Sequence, residues 1–70
     1  MKIYNNSDTT IPVAAQQELE NALANIGYQF ESVEAKRVRS YPNSEHYSIY
    51  SEDGEFLFNL DTDADNPTTY

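Results

Sequence analysis

Asp53-Gly54 sits between two runs whose apolar residues alternate, Glu45–Ser51 and Phe56–Asp61. This dipeptide between alternating runs is the strongest short-range hairpin signal, because glycine accepts the positive φ that a tight type I′ loop demands. Taken as a two-residue loop, it pairs Ser51 with Phe56, Ile49 with Phe58 and Tyr47 with Leu60 on one face. The other face then carries Tyr50 with Leu57, Ser48 with Asn59, and His46 with Asp61. A slip of one residue would mix the two sets, since strand side chains alternate with period two. The hairpin is therefore expected to turn Tyr47, Ile49, Phe56, Phe58 and Leu60 towards a core.

A helix is expected to cover that face. Ala15, Leu19, Ala22, Leu23 and Ile26 recur at helical spacing, while Gln17, Glu20, Asn21 and Asn25 lie elsewhere on the wheel. Pro12 suits the first turn, where its missing N–H would be unpaired anyway. Thr9 or Thr10 is the expected cap, and Gly27 stands where a left-handed residue ends helices. Met1–Tyr4 reads as a short first strand, followed by a polar loop over Asn5–Thr10. Tyr28-Gln29-Phe30 opens a further strand whose alternation slips near Ser32, so a bulge or boundary belongs there. The strand proper runs from about Val33 to Tyr41, and Tyr41-Pro42-Asn43-Ser44 is a turn.

The fold class expected is α+β, in the order β-α-β-β-β. One helix packs on a three- to four-stranded antiparallel sheet. Residues 1–61 form a single domain, and 62–70 form a flexible acidic C-terminal tail, polar and interrupted by Pro67. Seventy residues make one domain. Either a monomer or a homodimer is compatible with it, paired through an exposed edge at Val33–Tyr41 or Met1–Tyr4.

Composition excludes several functions. The chain has no cysteine, which removes disulfides, thiolate zinc sites and cysteine nucleophiles. The opening residues turn polar too soon for a signal peptide, and no apolar run approaches a membrane span. A cytoplasmic protein is expected. Twelve acids against four Lys and Arg give a net charge of −8. Such a charge opposes direct contact with nucleic acid or an anionic membrane. Lys36-Arg37-Val38-Arg39 holds three of the four basic residues, but the rest of the chain carries −11. These cations are expected to pair with Glu34 or Glu45 across the sheet.

Catalytic and metal chemistry find little footing. A serine nucleophile would need His46, the one histidine, with Asp61 behind it. That pair reads as a surface cross-strand contact, because no nucleophile elbow accompanies it. Asp61, Asp63 and Asp65 have the opening spacing of a calcium loop, but Asn66 stands where the sharp turn needs glycine. No enzyme, cofactor or dedicated metal site is expected.

The acids themselves are the candidate site. Ser40–Tyr70 holds seven of them and no Lys or Arg: Glu45, Glu52, Asp53, Glu55, Asp61, Asp63 and Asp65. In an extended strand, alternate residues lie about 6.6–6.8 Å apart on one side, close to the phosphate spacing of a nucleic-acid strand. Asp61, Asp63 and Asp65, if extended, would repeat that spacing. Interleaved tyrosines, Tyr50 foremost, supply anchors of the kind enriched at interface hot spots.

In size, acidity, absence of cysteine and helix-plus-meander layout, the chain resembles the small anti-defence proteins of phages and mobile elements, anti-CRISPR proteins and DNA mimics among them. The resemblance implies a non-enzymatic inhibitor that binds a basic nucleic-acid-binding protein or ribonucleoprotein complex and blocks its nucleic-acid site. Two alternatives carry the same acidity. One is an immunity-type or antitoxin-type protein that neutralises a basic toxin enzyme. The other is a small regulatory module without polyanion mimicry.

Overall fold

The computed structural model describes residues 2–70; Met1 lies outside the described residues. Its elements are β1 (Lys2–Asn5), α1 (Val13–Asn25), β2 (Ser32–Tyr41), β3 (Ser44–Ser51), β4 (Phe56–Asp61) and β5 (Thr68–Thr69). The class is α+β, with one helix on one sheet. The sheet has five strands in the order β1-β2-β3-β4-β5. It is mixed rather than wholly antiparallel, because β1 runs parallel to β2. A parallel neighbour needs a crossover connection, and α1 is that connection. β2 is interior, so among the described residues the sheet edges are β1 and β5 and not Val33–Tyr41.

The helix forms where its stripe requires. Ala15, Leu19 and Leu23 are buried, and Gln17, Glu20, Asn21 and Asn25 are exposed. Ile26, expected in the stripe, is exposed because it is the C-cap and has left the helical path. Neither Thr9 nor Thr10 caps the helix: Pro12 is the N-cap and no side chain bonds the first turn. Thr9 is engaged elsewhere, its hydroxyl sharing a 2.7 Å hydrogen bond with that of Tyr47. The C-terminus closes as a Schellman motif. The Tyr28 N–H donates to the Leu23 carbonyl and the Gly27 N–H to that of Ala24, with Gly27 at φ +71°.

The core lies between α1 and one sheet face. Ile11, Ala15, Leu19 and Leu23 meet Val33, Ala35, Tyr47, Ile49 and Leu60. Val33 to Arg37 pair in unbroken register with Ser51 to Tyr47. β2 begins at Ser32, where the boundary was expected, and a bulge at Val38 lies farther along the strand. Tyr28–Phe30 is not strand. The Tyr28 hydroxyl donates to the Ser32 carbonyl and accepts the Glu52 N–H, tying this segment to the hairpin tip.

The β3–β4 hairpin keeps most of its expected register. His46↔Asp61, Tyr47↔Leu60, Ser48↔Asn59 and Ile49↔Phe58 all pair. The tip differs. Among the described residues only Gly27 and Gly54 have positive φ, so Asp53 does not take the conformation a type I′ loop requires. Instead Glu52-Asp53-Gly54 form a three-residue loop closed by the Ser51 N–H on the Glu55 carbonyl. Tyr50 then opposes Phe56, and Leu57 takes up the extra residue as a bulge. Phe56 is thereby moved to the outer face, while Leu57 packs against the core. Gly54 sits at φ +85° with open space around its Cα. Gly54→Ala is thus expected to cost about 1–2 kcal/mol through backbone strain alone, read as a lowered urea midpoint with unchanged slope.

Residues 62–70 return to the sheet. Asp61 and Leu60 pair with Thr68 and Thr69, and Asn59 exchanges two backbone hydrogen bonds with Tyr70. The segment expected to be a loose tail ends as the fifth strand.

Candidate functional site

One face of the sheet carries the helix, and among the described residues no element covers the other. Strand parity sorts the side chains. Glu34, Lys36, Ser48, Tyr50, Phe56, Asn59 and Asp61 share the open face, and the pairing of Tyr4 with Glu34 adds Tyr4. After the Val38 bulge, Arg39 pairs with His46, which brings Arg39 and Tyr41 to this side as well. Exposed aromatics gather here: Tyr4, Tyr41, Phe56 and Tyr70 are each about half exposed or more. Phe30 and Tyr4 also line one shallow groove at the β1 end.

Acids stand at both ends of the sheet. At the hairpin tip, Glu52, Asp53 and Glu55 crowd into one turn. The Ser51 hydroxyl, buried, accepts the Asp53 and Glu55 N–H groups and holds the turn. The Glu52 carboxylate accepts the Glu31 N–H at 3.1 Å and so brings a fourth acid, Glu31, to the tip. Lys2 lines the groove beside Glu31 and Glu52.

The opposite end holds Glu45, Asp61, Asp63 and Asp65. Here the expected phosphate-like row does not form. The Asp61 carboxylate accepts the Asp63 N–H at 3.0 Å, and the Asp63 carboxylate accepts the Asp65 N–H at 2.9 Å. These successive turns coil the segment that an extended row would need straight. Among the described residues no three acidic or imidazole side chains converge as a metal cage requires. Glu45 is half-buried on the helix side, where its carboxylate accepts the Ser40 hydroxyl. Tyr50 is half-buried on the open face, with the Phe56 ring 5.8 Å away and the Lys36 ammonium 4.8 Å from its own ring centre. The site residues therefore divide into a tip cluster, a distal cluster and an aromatic face between. β3, eight residues long, separates the two acidic ends by about 23–26 Å.

Few of these charges are neutralised. Among the described residues the ion pairs are Lys36–Glu34 at 3.3 Å, Arg37–Asp8 at 3.4 Å and His46–Asp61 at 3.4 Å. Among the described residues the remaining nine of the twelve carboxylates have no cation within 4 Å. The basic segment meets Glu34, but within β2 rather than across the sheet, and among the described residues it forms no ion pair with Glu45. Arg39 has no carboxylate partner, and the Tyr41 hydroxyl raises its already high pKa, with a smaller contribution from Tyr70. It is a permanent cation on the open face.

Comparison with protein-family models, with curated proteins and with solved structures returns no match. The functional reading rests on the charges and on the open face.

His46 joins three elements. Asp61 faces one ring nitrogen, the Tyr70 hydroxyl bonds the other at 3.0 Å, and the Tyr41 ring stands edge-on 5.1 Å away. Sequence reasoning placed His46 opposite Asp61 but missed Tyr41 and Tyr70. Thr68-Thr69-Tyr70 was the available signal, a β-branched and aromatic run of the kind that favours strands.

Proposed function

We propose that the protein is a non-enzymatic inhibitor that binds a basic, nucleic-acid-handling protein or ribonucleoprotein complex and blocks its nucleic-acid site. The observation that supports this reading is the set of seven carboxylates at the two ends of the sheet, Glu31, Glu52, Asp53 and Glu55 at the tip and Glu45, Asp63 and Asp65 at the other end, that have no ion-pair partner among the described residues. Unpaired acids on a −8 chain make a field of several kT that attracts a basic groove and speeds encounter. The mimicry is one of surface potential. It does not copy phosphate spacing, because Asp61, Asp63 and Asp65 are coiled. The hairpin tip is the better candidate for the first contact, since its turn is held by Ser51 and none of its four acids forms an ion pair among the described residues.

Capture from a bacterial lysate on the immobilised protein, with salt elution, tests the reading. A nucleic-acid-handling protein should be retained at low salt and released as salt rises. Retention of a small basic toxin enzyme would favour the immunity-type alternative. Retention unchanged by salt would contradict an electrostatic inhibitor altogether.

A further inference from the structure

The open sheet face differs in charge from the rest of the molecule. It carries the cations Lys2, Lys36 and Arg39 against the acids Glu34, Glu52 and Asp61, a balance of zero, while the remainder of the chain carries −8. Most of the exposed aromatic surface lies here too. A strongly basic partner is drawn to the acidic ends and gains little from this face. Nucleic acid is repelled by the chain as a whole. A second copy, itself at −8, is opposed everywhere except here.

We propose that two copies of this chain associate face to face through the open side of the sheet. Symmetry supports the pairing. A closed dimer has a two-fold axis, so each copy must offer what the other needs. Lys36, Ser48 and Asn59 form the middle row of the face; Glu34 lies one step to one side, and Arg39 and Asp61 one step to the other. An axis running across the strands brings Arg39 over the second copy's Glu34. An axis running along β3 exchanges β2 with β4 and brings Arg39 over the second copy's Asp61. Either arrangement gives Arg39, unpaired within its own chain, a carboxylate. It also stacks tyrosine-bearing rows on one another, at the separation of about 10 Å usual for packed sheets.

The face is small. Five strands spaced about 4.8 Å apart and a strand length of about 23–26 Å project to roughly 450–500 Å² per copy, under the ~800 Å² of a standard specific interface. The dimer is therefore weak. Repulsion between the acidic ends makes it stronger, not weaker, as salt rises.

Sedimentation equilibrium on the full chain tests this. Across a concentration series into the millimolar range, the mass should climb from 8.0 kDa towards twice that value, and climb earlier at high salt. Arg39→Glu and Phe56→Ser should each weaken association at least tenfold with circular dichroism unchanged. Arg37→Glu makes the same charge change on the helix side, where Arg37 faces Asp8, and should weaken it far less. A chain that stays at 8.0 kDa throughout would overturn the proposal. So would a dimer that Arg37→Glu and Arg39→Glu weaken equally, or one that Phe56→Ser leaves intact.

Discussion

Tyr47→Ala is expected to unfold most of the protein at 25 °C. Tyr47 is the largest fully buried side chain, and it packs between the helix stripe and β4. Removing a buried aromatic ring costs about 3–5 kcal/mol, part lost transfer energy and part cavity. A 70-residue domain holds only about 3.5–10 kcal/mol in all, so little would remain. The hydroxyl adds a separate contribution. It bonds Thr9 at 2.7 Å and Ser7 at 3.3 Å, which ties the loop after β1 to the centre of the sheet. Tyr47→Phe keeps the ring and removes these bonds. Its cost should be near 1 kcal/mol, because the Ser7 and Thr9 hydroxyls still bond each other at 2.8 Å. Urea denaturation followed by circular dichroism separates the two. Tyr47→Phe should shift the midpoint modestly, and Tyr47→Ala should leave little or no cooperative transition.

The second large effect concerns binding. Glu52→Lys, Asp53→Lys and Glu55→Lys together should reduce affinity for the captured partner by 100-fold or more. Placing like charges against a basic surface costs several kcal/mol, and each 1.4 kcal/mol is tenfold. The turn should survive, because Ser51, Gly54 and backbone bonds hold it; Glu52 also accepts the Glu31 N–H, so Glu52→Gln, which keeps that acceptor, is the control at this position. Charge reversal at the distal cluster would confuse two effects, since Asp61 and Asp63 accept backbone bonds. Asp61→Asn, Asp63→Asn and Asp65→Asn keep an acceptor oxygen and delete the charge, so any loss of affinity there reports electrostatics alone. The measurement is isothermal titration at fixed low salt, with thermal unfolding of each variant as the check on folding.

The parts of the fold legible in the sequence are those set by local periodicity. The helix stripe and the middle of the β3–β4 ladder follow from spacing, and the core residues Leu19, Leu23, Tyr47, Ile49 and Leu60 follow with them. The hairpin tip was misread because Asp-Gly serves two loop types. The choice fell to the backbone of Asp53, which stays out of positive φ. The bulge at Leu57 then restored the register that the three-residue loop had shifted, so only Phe56 and Leu57 exchanged faces. β5 was hidden because its two threonines follow Pro67 and find their partner only after β4 is in place. The acids of the candidate site were plain in the sequence as a list. Their grouping was not, since Glu31 joins the tip only through the path of 28–32. The coiling of Asp61–Asp65 overrode the extended row that their spacing suggested. The open face was the least legible part. Arg39 and Tyr41 reach it only because Val38 bulges and reverses the parity of β2.

Competition with DNA tests the central claim most directly. The captured partner is loaded with labelled DNA and titrated with this protein at low salt, and bound DNA is followed by fluorescence anisotropy. An inhibitor that occupies the nucleic-acid site should release the DNA, with a midpoint that rises as DNA concentration rises. A ternary complex in which the partner holds both the DNA and this protein, with anisotropy unreduced, would contradict it.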